Sequence, residues 1–219
     1  MDGLAFVERP AAGTPDGLVV LHHGRGSNEH DLIGLADILD PLQRLHFVSV
    51  RGPLTVAGWP GRHWYVVRTV GFPDAATFDA ATGALADFHD GLWRTSGIGP
   101  ERTVLGGFSM GSVMSFATGL GRGRPAPAGI LGLSGFIPTV DGWNPDWGSR
   151  PNTRVLVAHG RNDPVIPFSF AEQARTAVSG GGLNLTSLDS EGAHNIDAAW
   201  VSPISEWLKV TLPPARDSE

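Results

Sequence analysis

Short apolar runs alternate with longer amphipathic stretches along the chain, and the two periods predict the elements. Leu4 to Val7 predicts a first edge strand. Leu18 to Leu21 reads as a buried strand ending at His22-His23-Gly24, and Leu45 to Val50 as another ending at Arg51-Gly52-Pro53. From Ala75 to Thr95 the apolar residues Phe78, Leu85, Phe88 and Leu92 recur at helical spacing. Thr103 to Gly107 predicts a strand, and a helix follows at once from Ser109 to about Leu120. Strands are expected at Gly129–Leu133, Arg154–Ala158 and Leu183–Leu188, with a helix at Phe168–Val178. Ser202-Pro203 predicts the start of a last helix, serine as N-cap and proline at the first helical position. Strand and helix in alternation predict an α/β fold, a mostly parallel sheet with helices on both faces.

The length of 219 residues suits one domain, 1–219, with one sizeable core and a frayed tail at 213–219. Gly and Pro, 30 and 17 residues, add many tight turns. Arg51 to Pro73 reads as a long ordered loop. A net charge of −6 gives no footprint for nucleic acid, and no basic cluster addresses anionic lipid. No apolar window is long enough for a membrane-spanning segment. The absence of cysteine excludes disulfides, thiolate metal sites and a cysteine nucleophile. No secretory signal is visible at the start of the chain, so a cytoplasmic location is expected.

Gly107-Phe108-Ser109-Met110-Gly111 fits G-x-S-x-G. The match is weak alone, but an apolar strand runs into it and a helix-forming stretch leaves it. At such a sharp turn the serine needs small neighbours, and the following helix N-terminus favours a developing oxyanion. Ser109 is therefore the candidate nucleophile. Along α/β-hydrolase chains the order is serine, acid, histidine. Beyond residue 159 the sequence has one histidine, His194, in a loop after a strand, and it is the candidate base. Asp141, Asp146, Asp163, Glu172, Asp189 and Glu191 lie between the two. Asp163 follows a buried strand at the carboxyl end of the sheet, where an orienting carboxylate is needed; Asp189 is the runner-up. The backbone N–H groups of Met110 and of Arg25, in the glycine-rich loop after the second strand, are the expected oxyanion donors. His22-His23 could suggest a metal, but adjacent strand residues face opposite ways and no ligand set accompanies them, so no metal is expected.

Five blocks in order carry a family resemblance: Leu21 to Gly26 with Asp31-Leu32; Arg51-Gly52-Pro53; Gly107 to Gly111; His159-Gly160 with Asp163 to Pro167; and Gly192-Ala193-His194. Over nearly its whole length the chain resembles the carboxylesterase/phospholipase family of small α/β-hydrolases, which includes acyl-protein thioesterases. The resemblance implies a sheet without a large cap domain and hydrolysis of carboxylic esters or thioesters with no cofactor. The family often has glutamine after the nucleophile and Gly-Gly beyond; here Met110, Gly111 and Ser112 stand there, which changes the surroundings of the acyl group.

Trp59, Trp64 and Tyr65 in the 51–73 loop, beside His63, and Trp143 after the Gly129–Leu133 strand are the candidate substrate-binding residues; the aromatics either wall a pocket or pack loops onto the body. The reading is a serine carboxylesterase acting on small to medium esters, with a small-molecule ester as partner. The alternatives are a thioesterase or lysophospholipase for long acyl chains and a non-catalytic binding protein of the same fold. A homodimer is compatible with the sequence, which does not fix the oligomeric state.

Overall fold

The computed structural model describes residues 3–215. Its nine strands are β1 (Phe6–Arg9), β2 (Leu18–His22), β3 (His46–Val50), β4 (Val67–Thr69), β5 (Phe72–Pro73), β6 (Thr103–Phe108), β7 (Gly129–Leu133), β8 (Arg154–Gly160) and β9 (Asn184–Ser190). Its α-helices are α1 (Leu35–Leu39), α2 (Ala75–Ser96), α3 (Met110–Leu120), α4 (Ser169–Gly180) and α5 (Val201–Thr211). Seven strands form one sheet in the order β1-β3-β2-β6-β7-β8-β9. β1 pairs antiparallel to β3 and the others are parallel. β4 and β5 form a separate small hairpin.

Alternation of side chains across each strand divides the core between the two faces. Val19, Leu21 and Phe47 pack under α1 and α5, against Leu39, Trp200 and Leu208. Val20, Val48 and Leu105 pack under α2 and α3, and Ile130 and Val155 under α3 and α4. α3 carries no charged residue, and all eleven of its residues are buried. It runs through the middle of the protein, so the carbonyls around its C-terminal end need internal partners. Buried Arg150 supplies them, donating to Gly119 O at 2.7 Å and Gly121 O at 2.7 Å.

Three expectations from the sequence change here. The apolar stripe of α2 runs Phe78, Ala81, Leu85, His89, with Phe88 and Leu92 only half-buried, because a histidine faces the core. The last helix does not start with Ser202 as N-cap. Asp197 caps a preceding 3₁₀ turn at Ala199 N–H, and α5 already includes Ser202, which leaves Pro203 in the first turn where no N–H is needed. Residues 213–215 are tethered, since Ala215 N–H donates to Asp16 Oδ1 and Arg102 donates to Pro213 O. The rest of the expected frayed tail, 216–219, lies outside the described residues.

β2 leads to β3 on one side, and β6 lies on its other side. The crevice between the carboxyl ends of β2 and β6 is thus where strand order reverses, the place open α/β sheets use for ligands.

Candidate active site

Ser109 sits at that crevice, between the end of β6 and the start of α3, with φ 54° and ψ −119°. A non-glycine residue in this conformation is strained, and such strain persists only where surrounding packing enforces it. Here the packing is glycine against backbone. A Cβ on Gly111 would fall inside contact distance of the His22 carbonyl, and one on Gly107 would meet the backbone of Gly111. Gly111→Ala is therefore expected to push α3 away from β2. Labelling of Ser109 by an active-site phosphonate should fall at least ~100-fold even in the protein that remains folded by circular dichroism.

Three side chains meet at the carboxyl edge. Ser109 Oγ lies 2.9 Å from His194 Nε2, and His194 Nδ1 lies 2.7 Å from Asp163 Oδ2. The acid can only accept, so Nδ1 carries the proton and Nε2 is the free base facing the serine. Asp163 is fixed in turn, its Oδ1 accepting N–H groups of Val165 at 2.8 Å and Ile166 at 2.9 Å. Burial alone would raise its pKa, but the bonds from His194, Ile166 and Val165 hold it below the ordinary carboxylate value. The loops carrying the acid and the histidine are laced together. Arg161 N–H donates to Ser190 O, Asn162 N–H to Gly192 O, and Asn162 Nδ2 to Glu191 O. Asp189, the runner-up acid, is instead committed to Arg161 and Arg175 at 2.6 and 2.5 Å.

The backbone N–H groups of Arg25 and Met110 make no hydrogen bond among the described residues. At Gly24 the first loop packs closely on the elbow, for a Cβ there would lie 3.2 Å from Phe108 Cδ1 and 3.6 Å from Ser109 Cβ. His23 fastens the same loop: its Nδ1 donates to Gly24 O at 2.7 Å, and its Nε2 accepts from Gly52 N–H at 2.9 Å. Among the described residues no group of three metal-ligating side chains comes together.

Beside the serine opens an apolar cleft of about 440 Å³. Met110 and Ile166 form its inner wall, with Tyr65, Phe136 and the β4–β5 hairpin around it. On the far side of Arg25 a second cleft of about 280 Å³ runs between Trp59, His63 and Tyr65. A larger hollow of about 1050 Å³, around Arg102 and Asn152, lies at the opposite end of the sheet and touches none of these groups. Of the aromatics expected around the substrate, Tyr65 lines both clefts and Trp59 the second. Trp64 does not. It is fully buried beneath the loop, its indole N–H donating to His23 O at 2.9 Å. Trp143 also lies elsewhere, its indole N–H bonded to Ala117 O near the end of α3.

Some residues were not visible from the sequence. Phe108 is half-buried, and the centre of its ring lies 4.9 Å from that of His194, the two planes tilted by 40°. His159 underlies the acid, with Nε2 2.9 Å from Ile166 O and 3.3 Å from Asp163 Oδ2. The hairpin wall is not legible in the sequence, because strands of three and two residues carry no readable period.

Residues 3–212 match the phospholipase/carboxylesterase family. Esterase YpfH of Escherichia coli is 27% identical over 90% of this chain and 83% of its own length. Acyl-protein thioesterase 1 of Yarrowia lipolytica is 27% identical over 94% of this chain and 96% of its own. The crystal structure of esterase PE8 superimposes with a TM-score of 0.85 at 29% identity, covering 96% of this chain and 100% of that one. The chain belongs to the phospholipase/carboxylesterase family of α/β-hydrolases.

Proposed function

We propose that the protein is a serine carboxylesterase that hydrolyses small to medium carboxylic esters through an acyl-enzyme. The observation that carries this reading is the unbroken relay from Ser109 Oγ through His194 to Asp163, at 2.9 and 2.7 Å, beside an apolar cleft. His194 Nε2 takes the proton of Ser109 as Oγ attacks the ester carbonyl, and the tetrahedral oxygen receives the N–H groups of Arg25 and Met110. The bond to the alkoxy oxygen then breaks, and His194 returns the proton to the departing alcohol. Water, deprotonated by His194, adds to the acyl-serine, and the acid is released with Ser109 restored. Asp163 stays ionised and stabilises the imidazolium in both halves.

The size of the acyl group follows from the cleft. At about 440 Å³ it lies toward the small end of ligand pockets, which suits a short chain. One observation favours the long-acyl reading as a second possibility. Phe72 and Val165, 71% and 44% exposed, extend the apolar lining of the first cleft outward, which gives a longer chain a surface to lie on. Hydrolysis of p-nitrophenyl esters from acetyl to dodecanoyl separates the two. A maximum of kcat/KM between acetyl and hexanoyl is expected. A steady rise to dodecanoyl would favour the long-chain thioesterase or lysophospholipase, and no serine-dependent turnover at any length would overturn both.

A further inference from the structure

The guanidinium of Arg25 has no part in the chemistry of ester cleavage, and its place in the site is unusual. Among the described residues it is the one charged side chain in the lining of either cleft, and it stands between them. Among the described residues it has no carboxylate partner, and no acidic residue lines either space. Nearby Arg51, by contrast, is forked onto Glu29 and already neutralised. The Arg25 side chain is also held in place, its guanidinium carbon 4.4 Å from the centre of the Trp59 ring. Its own backbone follows Gly24, which packs against Ser109. A planar, always charged fork with an open edge, set beside apolar walls, matches a two-oxygen anion better than any neutral group.

We propose that Arg25 binds an anionic oxygen group of the substrate, so that the preferred esters carry a carboxylate or a phosphate within a few bonds of the scissile carbonyl. Hemi-esters of short dicarboxylic acids and acylated hydroxy acids are the simplest members of this class. The inference rests on the reading of Ser109 as nucleophile and specifies its substrate. The anion pairs with Arg25 at the partition between the clefts while the apolar part of the acyl group fills the cleft beside Met110.

The test compares matched substrates by continuous acid titration in a pH-stat: methyl hydrogen adipate against dimethyl adipate, acetoxyacetate against its methyl ester, and 1-acetylglycerol 3-phosphate against 1-acetylglycerol. Within each variant the ratio of kcat/KM for the charged to the neutral partner is read, which cancels any effect of the substitution on the backbone N–H of Arg25. The native protein is expected to prefer the charged ester by at least about tenfold in one pair, chiefly through KM. That preference should shrink as salt rises above ~0.1 M. Arg25→Gln should bring the ratio close to one, Arg25→Lys should keep part of it, and Arg25→Glu should invert it. The pair with the largest ratio distinguishes a carboxylate on the acyl side, a carboxylate on the alcohol side and a phosphate. A native ratio of one or less in every pair, or a ratio unchanged in Arg25→Gln, overturns the inference while leaving the esterase standing. Absence of turnover on all six esters overturns both.

Discussion

Ser109→Ala is expected to lower kcat/KM on a short p-nitrophenyl ester by roughly 10⁴-fold or more, with the folded structure intact. The substitution removes one oxygen from a side chain that is only 8% exposed and whose hydroxyl has one contact of consequence, with His194. The strained φ of 54° is imposed by close backbone packing of Gly107 and Gly111, not by the hydroxyl, so alanine inherits the same elbow. Circular dichroism and the denaturation midpoint should therefore stay near native values. Asp163→Asn should cost a comparable factor for a different reason. An amide in place of Oδ2 can present N–H to His194 Nδ1, which reverses the tautomer and leaves Nε2 protonated toward the serine. In the proposed mechanism the three groups work as one relay, so the double variant should be about as slow as Ser109→Ala alone, not the product of the two losses. Activity of Ser109→Ala within tenfold of the native protein would remove the nucleophile assignment.

The sheet was legible because its strands are continuous apolar runs, as strands buried on both faces must be: Leu18 to Leu21, Gly129 to Leu133 and Val155 to Ala158 each stand out. The meeting of Ser109, Asp163 and His194 was legible because each lies in a loop after a strand: β6 and β8 are buried runs, and half-exposed β9 at the sheet edge precedes the one histidine beyond residue 159. Three loops that meet in space announce themselves as three loops at equivalent places in the repeat. What was illegible depends on contacts across the sequence. Trp59, Trp64 and Trp143 are the same residue type near the same edge, yet one covers a cleft, one is sealed under His23, and one ties down α3. Composition cannot tell an indole that spends its N–H inside from one that meets substrate. His22 and His89 were opaque for the same reason. One ends a strand and the other lies fourteen residues into a helix, and only the packing of α2 on α3 joins them.

That buried pair gives the second large effect, a loss of stability in mild acid. Ser115 donates its hydroxyl proton to Gly111 O at 3.0 Å, so its oxygen accepts from His22 Nδ1 at 2.8 Å. His22 Nε2 is then bare and accepts from His89 Nε2 at 3.2 Å. Both rings are fully buried and neutral. Burial first, and then the neighbouring charge of His89 and His23, pushes the pKa of His22 well below 6.5. Burial first, and then Arg124, takes His89 down to about 3. His23, His63 and His159 shift the same way, each mainly because it is buried. The unfolded chain takes up protons near pH 6.5 and the folded chain does not, so stability is full above that value and falls as pH drops below it. Each of His22 and His89 should cost about 2 kcal/mol between pH 7.5 and 5, about 4 kcal/mol together. This window lies above the range in which carboxylates contribute. Asp163 and Glu29, the latter held down to about 2 by Arg51, lose their contribution only as pH falls through and below the ordinary carboxylate range. Urea denaturation at half-unit pH steps should show this slope. His89→Phe should be less stable at pH 7.5, because His22 Nε2 loses its donor, yet should lose about 2 kcal/mol less on acidification. A native curve flat from pH 7.5 to 5 would mean that the rings are charged in the fold or that water reaches them, and the chain of bonds from His89 to Gly111 would have to be redrawn.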